Sequence, residues 1–161
     1  MGNVFEEICR QHLWKLLLTG ECPVEFSSLG RWWGNDPKEK RQAEIDILAE
    51  QDKNTALFGE CKWTNEKVDL SILETLIKRS ELFPYKNVHY YLFAKTGFTK
   101  GCIERAKEMG NVTLVSYEDL MIKIEVCELK VSTRHLSLMW RKRRIVSLLN
   151  WKKDMQNGKV S

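Results

Sequence analysis

The stretch "AEIDILAEQDKNTALFGECKW", residues 43–63, decides the fold. Two short apolar runs flank the polar segment "EQDKNT", which is typical of a β-hairpin. Side chains alternate across a strand, so one face of the first strand is expected to be buried. That face contains Ala43, Ile45, Ile47 and Ala49.

Both strands of this hairpin also carry charged residues where a plain strand would carry Val or Thr. Alternation puts Glu60 and Lys62 on one face of the second strand, and the hairpin can bring Asp46 beside Glu60. Two carboxylates that close repel each other unless a cation lies between them. We expect their oxygens within about 4–6 Å, a hard-oxygen site suited to Mg²⁺. Ile45, Ile47 and Cys61 should be turned the other way.

The Lys62 ammonium should project into the same cleft as the two acids. There it can orient a water molecule or neutralise charge that develops on a phosphate. A second interpretation stays open, because exposed faces of edge hairpins often carry acids and lysines without any chemical role.

The remaining chain predicts an α/β domain with strands and helices in alternation. The expected product is one mixed β-sheet flanked by helices on both faces, antiparallel early and parallel late. The predicted elements are a helix over 3–18, an irregular strand in "VEFSSLGRWWG", the hairpin, a helix over 69–83, a strand over 88–94, a helix ending at Gly110, a strand over 112–116 and a short helix from Tyr117.

Three motifs in order carry a family resemblance: "GRWWG" (30–34), "EIDILA" (44–49) and "GECKW" (59–63). Together they resemble the PD-(D/E)xK nuclease superfamily. More narrowly, they resemble the nuclease-like domain of unknown function at the C-terminus of archaeal-type AAA ATPases. The leading "GNVFEEI" is similar to that family's opening helix, and the resemblance covers residues 2 to about 120. One departure is Ile45, which stands where the strict motif has proline.

The resemblance implies a restriction-endonuclease-like core and a DNA-cleaving function. Asp46 and Glu60 would be ligands of Mg²⁺ or Mn²⁺, and Lys62 would orient the attacking water. Glu6 and Glu44 would be accessory acids. The implied partners are DNA and an AAA-type ATPase domain. The alternatives are a catalytically silent nucleic-acid-binding or docking module with the same fold, and an interaction domain for the ATPase.

The adjacent tryptophans of the first motif have two open interpretations. Alternation along a strand should bury one of Trp32 and Trp33 and turn the other outward. Core packing explains the buried ring, and stacking on a nucleic-acid base is a possible use for an exposed one.

Charge is distributed unevenly over the 161 residues, although the net value is only +4. Residues 1–128 hold 17 basic and 21 acidic side chains, whereas 129–161 hold 9 and 1. We therefore predict a nuclease-like domain over 1–128 and a basic tail or helix over 129–161. Arg141, Arg143 and Arg144 of this tail suit phosphate contact.

The composition favours a cytoplasmic protein with no membrane segment. No apolar run approaches the roughly 20 residues that span a bilayer, and the N-terminus has no basic-then-apolar signal pattern. The five cysteines show no paired metal or redox spacing, so reduced thiols are expected.

Overall fold

The computed structural model describes residues 2–37 and 40–122. The predicted order of elements is confirmed over this part of the chain. Residues 117–122 are helical. The predicted basic tail, with Arg141, Arg143 and Arg144, lies outside the described residues. The elements are α1 (Gly2–Thr19), β1 (Leu29–Asp36), β2 (Arg41–Glu50), β3 (Thr55–Lys62), α2 (Leu70–Ser80), β4 (Asn87–Ala94), α3 (Lys100–Met109) and β5 (Val112–Ser116).

The five strands form one mixed sheet in the order β1-β2-β3-β4-β5. β1 pairs with β2, and β2 with β3, in antiparallel fashion. β3, β4 and β5 are parallel neighbours. Parallel strands need a crossover connection, and α2 and α3 provide the two crossovers. The predicted change from antiparallel to parallel pairing is therefore confirmed.

Helices cover both faces of the sheet. On one face, α1 places Phe5 with its ring centroid 4.9 Å from that of Trp63. On the other face, α2 and α3 pack on a buried apolar cluster drawn from all the inner strands. This cluster contains Ile45, Ala56, Phe58, Val68, Leu73, Leu76, Tyr90, Leu92, Ala94 and Cys102.

The crossover helices begin and end at residues with clear capping chemistry. The Asp69 side chain accepts the backbone N–H of Ser71 at the start of α2. Gly110 ends α3 with φ 71°, a left-handed conformation that glycine adopts without strain. α2 ends at Ser80, three residues before the predicted boundary, because the N–H of Phe83 turns back to the Ser80 carbonyl at 3.1 Å.

β2 contains an irregularity that the sequence analysis did not predict. Gly30 pairs with Leu48 but Trp32 pairs with Ile45, so two steps along β1 match three along β2. One extra residue between Ile45 and Leu48 is a β-bulge, which re-aims the side chains around it.

The bulge reverses the facing of part of β2. Ile45 joins the cluster under α2, whereas Ile47 lies opposite Gly59 on the α1 face. The prediction that Ile45 and Ile47 share one face is therefore wrong. Phe58 lies in the same cluster as Ile45. Glu60 follows Phe58 by two residues and shares its face of β3, so Ile45 is not turned away from this acid as predicted.

Candidate metal centre

Asp46 lies at the bulge, where β2 and β3 stop pairing regularly. The pairing of these strands runs from Glu50 opposite Ala56 to Ile47 opposite Gly59. Next along the chain, Oδ2 of Asp46 accepts the backbone N–H of Cys61 at 2.9 Å. The Asp46 carboxylate thus accepts an N–H of β3, as backbone carbonyls do elsewhere in the ladder. This hydrogen bond fixes Asp46 against β3.

Glu60 lies next to this contact and is nearly buried, with 7% of its side chain exposed. Lys62 Nζ donates to Oε1 of Glu60 at 2.6 Å. Arg79 Nη1 lies 3.4 Å from Oε2. Each oxygen of the buried carboxylate therefore has a positively charged partner, as buried charges require.

The pKa of the Glu60 carboxyl is raised above its usual value. Burial is the main cause, and the nearby charge of Asp46 adds to it. Lys62 and Arg79 act in the opposite direction without cancelling the effect. Asp46 and Glu60 are thus close enough to repel each other, which favours a cation between them. Their expected separation of about 4–6 Å stays a prediction.

Arg79 is a site residue that the sequence analysis missed. Its Nη1 also donates to the backbone carbonyl of Glu44 at 2.8 Å. The guanidinium therefore contacts β2 and β3 together. A signal existed: Arg79 follows the buried Leu76 by three residues, so it flanks the inner stripe of α2.

The two predicted accessory acids have different surroundings. Glu6 is a buried residue of α1 and forms an ion pair with Arg10 at 3.7 Å. Its charge reaches Cys61, whose thiol pKa is raised mainly by burial, then by Cys9, Asp46 and Glu6. Glu44 is exposed, and its carboxylate forms an ion pair with Arg31.

The tryptophan pair divides as predicted. Trp32 is half-buried, and its ring centroid lies 5.0 Å from that of Phe83. Trp33 is 74% exposed. Of the two open interpretations, core packing thus applies to Trp32, and Trp33 is available for a ligand.

The chemistry of the donors fits a hard divalent ion. In the part of the chain that the structure describes, no three His, Cys, Asp or Glu side chains cluster as ligands. Mg²⁺ does not need such a cluster, because it is commonly held by one or two carboxylates with waters and substrate phosphates. Asp46 and Glu60 supply two carboxylates. The four described cysteines are free thiols, as predicted.

Comparisons with known proteins found a family model, a curated relative and three solved structures that are similar to this chain. The family model DUF234, "Archaea bacterial proteins of unknown function", matches residues 1–73. The uncharacterized protein MJECL04 of Methanocaldococcus jannaschii is 32% identical over 122 residues, covering 74% of this chain and 25% of that protein. The chain thus spans about a quarter of the length of this curated relative.

Three solved structures are similar at a low level. A protein of unknown function, AF1548, has a TM-score of 0.46 and 20% identity, covering 81% of this chain and 72% of its own. A repair endonuclease from Pyrococcus abyssi has a TM-score of 0.42 and 17% identity, and the match covers 69% of this chain and 46% of the endonuclease. The DNA modification-dependent restriction endonuclease AspBHI has a TM-score of 0.37 and 18% identity, and the match covers 71% of this chain and 28% of AspBHI. Likenesses at this level do not identify what this chain does.

The helices of the described residues include none with the length and apolarity needed to cross a membrane.

Proposed function

We propose that this chain is a metal-dependent deoxyribonuclease domain that hydrolyses DNA phosphodiester bonds. One observation carries the proposal. The bulge in β2 holds Asp46 against β3 beside the buried Glu60, and the Lys62 ammonium lies 2.6 Å from that carboxylate. Two acids and a lysine close together on two neighbouring strands suit phosphoryl chemistry.

Asp46 and Glu60 are the residues that would hold Mg²⁺ or Mn²⁺. When bound, such an ion polarises a phosphoryl oxygen and lowers the pKa of a coordinated water. Oδ2 of Asp46 accepts the Cys61 N–H, so we assign the metal contact to Oδ1. The raised pKa of Glu60 means that Lys62 and Arg79 do not fully stabilise its ionised form, so a bound cation would stabilise that form further.

Lys62 is the residue suited to act on water and phosphate. Its side chain is 33% exposed, whereas its Glu60 partner is 7% exposed. The ammonium therefore reaches from the buried acid towards solvent. From that position it can donate to an attacking water and offset negative charge on the phosphate.

Contacts to the rest of the DNA are assigned to two other features. The exposed Trp33 offers a ring on which an unpaired base can stack. The arginines of the basic tail, Arg141, Arg143 and Arg144, are proposed to contact phosphates. We also propose an AAA-type ATPase partner and a cytoplasmic location, on the resemblance of the sequence motifs.

A catalytically silent DNA-binding or docking module is the second candidate. It is favoured by one observation: Lys62 and Arg79 already provide Glu60 with positive partners from within the protein. An acid neutralised in this way can be purely structural.

The deciding experiment is a cleavage assay with Mg²⁺ or Mn²⁺ on labelled single-stranded, duplex and branched DNA. We expect metal-dependent cleavage by the natural sequence, and its loss in Asp46→Asn and Lys62→Met. Glu104→Gln, a change of an exposed acid on α3, is the matched control. DNA binding without cleavage of any substrate under either metal would replace the nuclease by the silent module.

A further inference from the structure

We propose that Arg79 is a positioning residue of this site, and that it stays on Glu60 when Lys62 leaves to admit a divalent cation. The inference rests on the proposed function, because it concerns the same pair of carboxylates. Lys62 and Arg79 look equivalent as charges beside Glu60. Their surroundings give them different tasks.

Arg79 contacts both β2 and β3 near the point where the backbone pairing of these strands ends. Nη1 is 2.8 Å from the Glu44 carbonyl on β2 and 3.4 Å from Oε2 of Glu60 on β3. Glu44 precedes Asp46 by two residues, so the contact to β2 lies next to the bulge. A single guanidinium therefore constrains the distance between the segments that carry the two acids.

The backbone from which Arg79 projects is held firmly. Its neighbour Ser80 is buried, donates to the Ile77 carbonyl and shares a 2.8 Å hydrogen bond with the Tyr90 hydroxyl on β4. Leu76, one turn earlier, is fully buried in the apolar cluster. Nη1 carries two N–H groups in the fixed plane of the guanidinium, so an arginine on such a helix can hold both acceptors in fixed positions.

Lys62 has a looser attachment. It is the last residue of β3, and in the described part of the chain its ammonium bonds to Oε1 of Glu60 alone. Its ammonium is on a flexible four-carbon stem, and the side chain is 33% exposed, so water can replace the contact of the ammonium with Glu60. Lys62 is therefore the partner that would give up Oε1 to a cation, and its ammonium would stay close enough to act on substrate.

If Lys62 and Arg79 acted on a divalent cation through their charge alone, their removal would change its affinity differently than if Arg79 positions a ligand. Removal of either positive side chain should strengthen the binding of a divalent cation, if each acts only by repulsion. Removal of a residue that orients a ligand weakens metal binding by about 10–100-fold. Loss of Arg79 should thus weaken the binding of the cation, whereas loss of Lys62 should not.

The test is calorimetric titration of Mn²⁺ into the full chain without DNA. We expect Lys62→Met to bind Mn²⁺ as tightly as the natural sequence or several-fold more tightly. Arg79→Met should bind at least about tenfold more weakly. Arg79→Lys keeps the charge but places it on a flexible stem with freely rotating donors, so the two acceptors are no longer held in fixed positions and the affinity should also fall. Arg105→Gln, which removes an exposed arginine of α3, is the matched control and should change nothing.

Each outcome has a separate meaning. Equal or tighter Mn²⁺ binding by Arg79→Met would overturn the positioning role and leave the nuclease proposal intact. No Mn²⁺ binding by the natural sequence would instead refute the metal centre. If circular dichroism shows that Arg79→Met does not fold, Arg79→Lys decides the question, because unchanged affinity in that variant would show that charge suffices.

Discussion

Glu60→Gln should raise the free energy of unfolding at neutral pH while it abolishes metal-dependent cleavage. The buried carboxyl has a raised pKa, which means that its ionised form is less favourable in the folded protein than in the unfolded chain. Glutamine has nearly the same shape, keeps an acceptor oxygen and carries no charge. The substitution removes a metal ligand and a destabilising charge together.

The exposure of Lys62 and Arg79 determines how much the substitution changes the free energy of unfolding. Loss of one member of a fully buried ion pair costs about 3–5 kcal/mol, because the other charge is left without compensation. Here Lys62 and Arg79 keep 33% and 28% of their side chains exposed, so water can solvate them. Replacement of a whole buried ion pair by apolar groups can stabilise a protein by about 1–4 kcal/mol. Glu60→Gln neutralises only the buried member and leaves both cations partly hydrated, so we expect a gain at the lower end, about 1 kcal/mol.

The gain should depend on pH in a defined direction. An acid with a raised folded pKa contributes its full stability below the unfolded value of about 4.3, and that contribution is lost as pH rises through the folded pKa. Urea denaturation should thus show similar stability for Glu60→Gln and the natural sequence near pH 4, with a gap that widens towards pH 7. Glu104→Gln should show no such gap. A Glu60→Gln protein that is less stable at pH 7 would show that the ion pairs outweigh the burial cost.

Three further predictions follow from single contacts. Asp46→Asn should abolish metal-dependent cleavage and leave the circular dichroism spectrum unchanged, because the amide oxygen can still accept the Cys61 N–H; full cleavage by this variant would exclude a ligand role for Asp46. Trp33→Ala should weaken single-stranded DNA binding by about 1–3 kcal/mol in a titration without lowering Tm, whereas Trp32→Ala should lower Tm; equal effects on Tm would contradict the division of the pair. Burial and the Glu50 carboxylate raise the pKa of Tyr85 to about 12, so stability should fall as pH rises from about 10, and Tyr85→Phe should reduce this fall and remove one late-ionising tyrosine from the absorbance titration.

The sequence was sufficient to predict the order of the elements, because their signals are local. Asp69 and Gly110 mark the limits of α2 and α3 through capping groups that act within a few residues. The aromatic and apolar run at 88–94 predicts a central strand, and β4 lies between β3 and β5. Such features depend on neighbours along the chain and can be read from it.

The bulge and the role of Arg79 could not be predicted in the same way. The spacing of Ile45 and Ile47 fits a regular strand. Only the pairing with β1 reveals that β2 has one extra residue between Ile45 and Leu48. Arg79 contacts Glu60 across 19 positions of sequence through the fold of α2 onto the sheet. Both depend on how separate elements pack, which alternation along one strand does not determine.

The bulge explains how Asp46 and Glu60 can occupy neighbouring positions on adjacent strands. In a regular ladder continued past Ile47 and Gly59, Asp46 and Glu60 would be directly opposed, and like charges in that position destabilise a sheet. The bulge instead lets Asp46 turn to the Cys61 N–H. Gly59 keeps this part of β3 close to β2, since a Cβ there would lie 2.9 Å from Cβ of Ile47.

The geometry of the candidate centre is therefore set by core packing on both faces of the sheet. Ile47 against Gly59 holds the bulge on the α1 face, and Ile45 in the apolar cluster holds it on the α2 face. The carboxylates lie between these two packed layers. Substitutions that change only the charge of Asp46 or Glu60 should thus alter cation binding while the backbone that carries them keeps its shape.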